Sequence, residues 1–134
     1  MNYWLIKSEP FKFPISKMKE DGTTFWDGVR NYQARNNLAA MKMGDFAFFY
    51  HSNEGKEIVG LVKVVKESYQ DPTTNEPAWL AVDFEFEEIF PMPMTLSEIK
   101  AHPILKYMAL VKNSRISVVP VTAQEFDLII NHTH

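Results

Sequence analysis

Apolar and polar residues alternate most cleanly from Trp79 to Phe90. Leu80, Val82, Phe84 and Phe86 fall on one side; Trp79, Ala81, Asp83, Glu85 and Glu87 fall on the other. A period of two predicts a half-buried strand. Shorter apolar runs predict further strands: Tyr3-Trp4-Leu5-Ile6, stopping at Lys7-Ser8-Glu9-Pro10; Asp45 to His51; Ile58 to Lys66; and Ile116 to Val119. Ser52-Asn53-Glu54-Gly55 reads as a hairpin turn between the second and third of these. Gly60 inside the return strand predicts a bulge or a close backbone approach. Helical signals lie between the strands. Pro14 to Lys19 can form a short helix ended by Asp21-Gly22. Asn31 can cap a helix running to about Met43 and closed by Gly44, with Ala34, Leu38 and Met41 inward and Asn31, Arg35 and Lys42 outward. Thr95 with Glu98, and Thr122 with Glu125, have the spacing of capping boxes for two more helices, one stopping before Pro103 and one ending near Ile130. Ser68 to Pro77 reads as a polar loop. About five strands, mostly antiparallel, with helices among them predict an α+β fold built as a small barrel. The absence of regular strand–helix alternation argues against a doubly wound parallel sheet.

At 134 residues, of which 46% are hydrophobic, the chain is the size of one domain, expected over 1–134, and can bury a core without staples. It has no cysteine, so disulfides and thiolate chemistry are excluded. Met1 leads straight into a strand-like segment, without a signal-peptide pattern, and no apolar run approaches the roughly 20 residues of a membrane span. The expectation is a soluble, cytoplasmic protein, monomeric, with no membrane partner. The net charge of -3 argues against a coat protein held by many phosphates. The charge is uneven: residues 1–66 carry ten Lys/Arg against seven Asp/Glu, residues 67–134 four against ten.

The basic half also carries the least ordinary stretch, Phe25-Trp26-Asp27-Gly28-Val29-Arg30-Asn31-Tyr32-Gln33-Ala34-Arg35. A Trp beside Asp-Gly is expected at a turn, where its ring either caps the barrel end or forms the wall of an aromatic slot. A flat ring beside amides and guanidinium groups suits a nucleobase or nucleotide. Trp79 lies on the charged side of its strand, so it needs a covering loop, a second subunit or a ligand. Tyr50, His51 and Ser52 end an apolar strand at one rim; His51 is either a satisfied, partly buried imidazole or a donor to a base or phosphate. Ser8 leaves the first strand at a rim too. A Ser8–His51–Asp27 triad can be written, but adjacency in sequence does not supply its geometry. The four histidines show no metal-ligand spacing, and the five glycines form no dinucleotide or P-loop motif.

Three blocks resemble the EVE domain of the PUA-like superfamily: Tyr3 to Pro10, Trp26 to Asn36, and Gly44-Asp45 with Phe49-Tyr50-His51-Ser52. The resemblance implies a pseudo-barrel of about five to six mixed strands flanked by short helices. It also implies a reader module, related to YTH domains, that binds a modified base in DNA or RNA without catalysis or cofactor. Carried over onto this chain, the base pocket would comprise Lys7, Ser8, Trp26, Asp27, Val29, Asn31, Tyr50, His51, Ser52 and Trp79. Arg30, Arg35 and Lys42 would meet phosphates. Trp26 would stack on the base with Trp79 or Tyr50 opposite, and Asp27 would accept from an exocyclic amine. The other readings of the same pocket are a nucleotide- or base-processing enzyme and a protein-interaction surface.

Overall fold

A computed structural model describes all of residues 1–134. Six strands form a single mixed sheet: β1 (Tyr3–Ser8), β2 (Thr23–Trp26), β3 (Phe46–His51), β4 (Glu57–Gln70), β5 (Leu80–Thr95) and β6 (Val118–Val121). Five helices accompany them: α1 (Ile15–Asp21), α2 (Tyr32–Ala40), α3 (Leu96–Ala101), α4 (Ala109–Lys112) and α5 (Ala123–Thr133), with a 3-10 turn at Leu105–Tyr107. No helix is long and apolar enough to cross a membrane. The strand order is β2-β5-β4-β3-β1-β6, so β2 and β6 are edges and the sheet does not close by hydrogen bonds. β1 and β3 run parallel, and every other pairing is antiparallel.

The open sheet is nevertheless strongly curled. In a flat sheet β2 would stand three strand spacings, roughly 14 Å, from β3. Instead the Trp26 ring of β2 lies 5.7 Å from the Phe49 ring of β3, and 6.1 Å from Phe84 of β5. Strand alternation sorts the core into two clusters. Trp4, Ile6, Ala47, Phe49, Val82 and Phe84 join α1 and α2 through Ile15, Met18, Ala34 and Leu38. Leu5, Phe48, Tyr50, Ile58 and Val119 face the other way, against Ile99, Leu105, Leu110 and Ile129 from the C-terminal helical segments.

The local signals explain most boundaries. Asn31 caps α2, its Oδ1 accepting the Ala34 N–H at 3.0 Å, and both capping boxes form. α2 stops at Ala40 rather than Met43, while Met41 stays buried as its C-cap. β4 runs on to Gln70, into the region expected as loop. β5 continues to Thr95 through Pro91 and Pro93, which a strand interior should refuse. They fit because Gly60 pairs with Ile89 and Ile58 with Met94, leaving residues 90–93 in a bulge where no ladder bond is required. Gly60 is needed at that bulge: a Cβ there would sit 2.6 Å from the Glu88 carbonyl and 2.8 Å from Ile15 Cδ1. β2 went unrecognised because Thr23-Thr24-Phe25-Trp26 is short. Trp26 therefore ends a strand, paired with Val82, and does not sit in the turn itself. α5 runs to Thr133, past the end expected near Ile130, and the terminal histidines have partners: His134 reaches Glu88 and His132 reaches Glu98.

Candidate functional site

The curl brings the two ends of the sheet face to face, and a cavity of about 430 Å³ occupies the seam. One wall is β2 and the loop after it, Thr24 to Arg30. The other is the end of β1 and its exit loop, Lys7, Ser8, Glu9, Lys12 and Phe13, with Ser117 ahead of β6. This volume is in the range of small-molecule sites.

Trp26 is half-buried and anchored by three rings. Phe13, Phe49 and Phe84 approach it edge-on at 5.9, 5.7 and 6.1 Å, with interplanar angles of 70°, 79° and 85°. Such T-shaped packing fixes the indole plane while the rest of the ring lines the cavity. Lys7 is half-buried; its Nζ donates to the Ser114 carbonyl at 2.8 Å, and burial pushes its amine below the ordinary lysine value. Asp27 is exposed at the mouth. Val29 is buried at the base of the following loop.

That loop is held by a residue outside the cavity. The Asp71 carboxylate is fully buried and accepts four hydrogen bonds: from Gly28 N at 2.8 Å, Arg30 Nη1 at 2.9 Å, Thr73 N at 2.7 Å and Thr73 Oγ1 at 2.6 Å. Burial alone would raise its pKa; the bonds from Thr73, Gly28 and Arg30 outweigh burial and hold the carboxyl well below the usual range. Gly28 stands at φ +75, a left-handed turn that suits glycine. Asp71-Pro72-Thr73 has the composition of an Asx turn, a signal available in the sequence but read there only as loop.

Of the residues singled out from sequence, the seam gathers Lys7, Ser8, Trp26, Asp27, Val29 and Arg30. The others do different work. Tyr50 shares the Phe48 face of β3 and is buried in the opposite cluster, so it cannot stand across from Trp26. His51 accepts the Ile15 N–H through Nε2 at 3.0 Å. It thereby supplies α1 with the cap that Pro14 lacks, and burial lowers its pKa, favouring the neutral acceptor form. Ser52 is tied through its N–H to the Ser8 carbonyl at 2.9 Å. Asn31 is spent on capping α2. Trp79 packs outside the seam on Tyr32, ring centroids 4.8 Å apart, with the Arg30 guanidinium 5.6 Å from the indole centroid. Its cover is this chain's own helix α2, not the loop, second subunit or ligand expected. Arg35 donates to the Ala78 carbonyl at 3.0 Å and stacks 5.3 Å from Tyr32, fastening the Trp79 loop to α2. Lys42 follows the far end of α2, exposed, away from the cavity lining. Arg30 lines the cavity but is engaged by Asp71, by the Val29 carbonyl at 3.1 Å and by Thr73 at 3.3 Å, its side chain 40% exposed. The Ser8–His51–Asp27 arrangement does not form: Ser8 Oγ donates to the Phe13 carbonyl at 2.5 Å, and His51 Nε2 is taken by Ile15. Lys12, Phe13, Thr24 and Ser117 line the seam without having been singled out. They meet only because the sheet curls, and no local pattern encodes that meeting.

Comparison with known proteins adds independent findings. A family model described as the EVE domain matches residues 2–132. The chain is 43% identical to thymocyte nuclear protein 1 of Mus musculus, over 97% of this chain and 73% of that protein. It superposes on the crystal structure of a protein from Agrobacterium tumefaciens with a TM-score of 0.96 at 47% identity, covering 98% of this chain and 92% of the other. The crystal structure of the human THYN1 protein in complex with 5-methylcytosine containing DNA superposes with a TM-score of 0.90 at 41% identity, covering 98% and 96%. One expectation is corrected here. Relatives from chicken, mouse and human, 42%, 43% and 41% identical, are named nuclear proteins, against the cytoplasmic location expected above. Lack of cysteine separates reducing from oxidising compartments, not nucleus from cytoplasm.

Proposed function

The chain belongs to the EVE domain family, and from that premise we propose that it reads one modified base of DNA, without catalysis, in the seam beside Trp26. One observation carries the reading: a protein 41% identical, with a TM-score of 0.90, was solved with 5-methylcytosine containing DNA. The seam has the chemistry for such a ligand. Trp26 offers a flat ring of fixed orientation, and a stacked base is worth about 1–3 kcal/mol. Lys7 offers a donor to a base carbonyl, and Asp27 an acceptor to an exocyclic amine, the pair of groups that cytosine presents. Phe13, Phe25 and Val29 give the apolar lining a methyl group needs. Lys12 and Arg30 at the rim would meet the flanking phosphates. So few cations imply a shallow dependence on salt.

The test is a binding titration at one stated salt concentration, using DNA oligonucleotides of one sequence with cytosine or 5-methylcytosine, and an RNA oligonucleotide for comparison. The methylated DNA should bind best, and Lys7→Ala and Asp27→Ala should each weaken it by about tenfold. Equal binding of the cytosine and 5-methylcytosine strands, or wild-type affinity in both variants, would overturn the reading.

A further inference from the structure

The seam has room for one nucleotide, but not the form of a track. Proteins that follow a single strand use an extended basic groove with successive aromatic platforms. Here the cations and the open ring converge on one cavity, in a chain of net charge -3. Such a site suits a base swung out of its neighbours. A base extruded from a duplex leaves a gap, and proteins that deform DNA commonly fill such steps with an apolar side chain.

Phe11 has the position and the exposure for that task. It is 83% exposed, more than any other large apolar side chain of this protein. Glu9 before it and Lys12 and Phe13 after it all line the seam, so Phe11 stands at the rim. Its loop is braced. The Glu9 carbonyl accepts the N–H groups of Lys12 at 3.0 Å and Phe13 at 2.9 Å, closing a tight turn with Pro10 and Phe11 at its tip. Ser8 Oγ holds the Phe13 carbonyl, and the Glu9 carboxylate is held by Asn53 Nδ2 at 2.8 Å and lies 3.4 Å from Lys12 Nζ. A ring on a pre-ordered turn loses little conformational freedom when it inserts. Tyr32 is also exposed, at 60%, but Trp79 and Arg35 already pack on it.

We propose that Phe11 is a wedge which enters duplex DNA at the step vacated by the base held in the seam, so that the preferred ligand is a duplex from which the base is flipped. The proposal rests on the reader function above. It is tested by titrating wild type, Phe11→Ala, Phe11→Leu and Trp26→Ala with one 5-methylcytosine oligonucleotide, single-stranded and annealed to its complement, at one salt concentration. Wild type should bind the duplex at least as tightly as the single strand. Phe11→Ala should weaken the duplex about tenfold or more and leave the single strand within about twofold, while Phe11→Leu should retain most duplex binding. Trp26→Ala should weaken both forms. If Phe11→Ala affects both forms equally or neither, or if wild type binds only the single strand, the wedge is overturned and the reader stands. If wild type binds neither form, the reader falls and the wedge with it.

Discussion

The two faces of the sheet are cut from the same alternating strands and end in opposite states. On the C-terminal side, Tyr3, Phe46 and Phe48 gather around Phe126 with ring centroids 4.0, 6.1 and 5.0 Å from it, and the helices from α3 to α5 cover them. On the other side, the aromatic cluster of Phe13, Phe49 and Phe84 surrounds Trp26, and that ring reaches a cavity. Aromatic residues are as plentiful on one side as on the other; what differs is the cover. The sealed face packs its rings against one another and under the helices. The seam face uses three rings to hold a fourth in place, and its edge strands never join. An unclosed sheet is ordinarily a hazard, with free strand edges. Here the cavity lies at the opening.

That contrast can be broken from either side. The largest effect should come from Phe48→Ala on the sealed face, which empties a fully buried position and should cost about 3–5 kcal/mol in denaturant unfolding. The protein that remains folded should bind oligonucleotide with wild-type affinity.

Next is Asp71→Asn, which weakens the brace on Gly28 and Arg30 and should cost about 1.5–3 kcal/mol. Because the folded carboxyl is held below its ordinary value, its stabilisation is fully present above about pH 4 and is lost as pH falls further. Thermal melting across acid pH should therefore show a shallower decline in the variant than in wild type. Affinity should fall as well, since the braced loop carries Asp27.

Trp26→Ala should lower affinity about tenfold or more, with a smaller loss of melting temperature than Phe48→Ala. Some loss of stability is required, because three rings pack against this one.

The smallest effects should be two opposed pH dependences. Neutral His51 caps α1, and burial lowers its pKa, so its contribution is full above about pH 6.5 and fades as pH falls. His134, exposed on the sealed side, is raised by the Ile130 carbonyl and Glu88; its contribution is full below about pH 6.5 and fades as pH rises through its folded pKa. His51→Ala should flatten the acid side of a melting curve against pH, and His134→Ala the neutral side.

The sequence spoke clearly where the structure is local. Asn31 capping α2, the boxes at Thr95 and Thr122, and the hairpin at Ser52 to Gly55 each depend on residues a few positions apart, and each forms. It was silent where distant elements meet. The bulge that absorbs Pro91 and Pro93 depends on Ile58 and Gly60, more than thirty residues away. The division of labour between the two exposed-looking tryptophans was equally hidden. Trp79 is satisfied by Tyr32 from α2, and Trp26 reaches the seam only because the sheet curls. The rim residues Lys7, Ser8 and Trp26 could be named from the family resemblance. Asp71, which braces the loop, lies outside the three blocks that carry the resemblance.

The three indoles allow a direct test. Trp4 is buried with its Nε1–H on Asp45 at 3.1 Å, Trp79 is packed on Tyr32, and Trp26 lines the seam. In a titration of ¹⁵N-labelled protein with a 5-methylcytosine oligonucleotide, the indole N–H resonance of Trp26 should shift, and those of Trp4 and Trp79 should stay close to their free positions. A shift of the Trp79 resonance with Trp26 unmoved would place the base outside the seam and contradict the account.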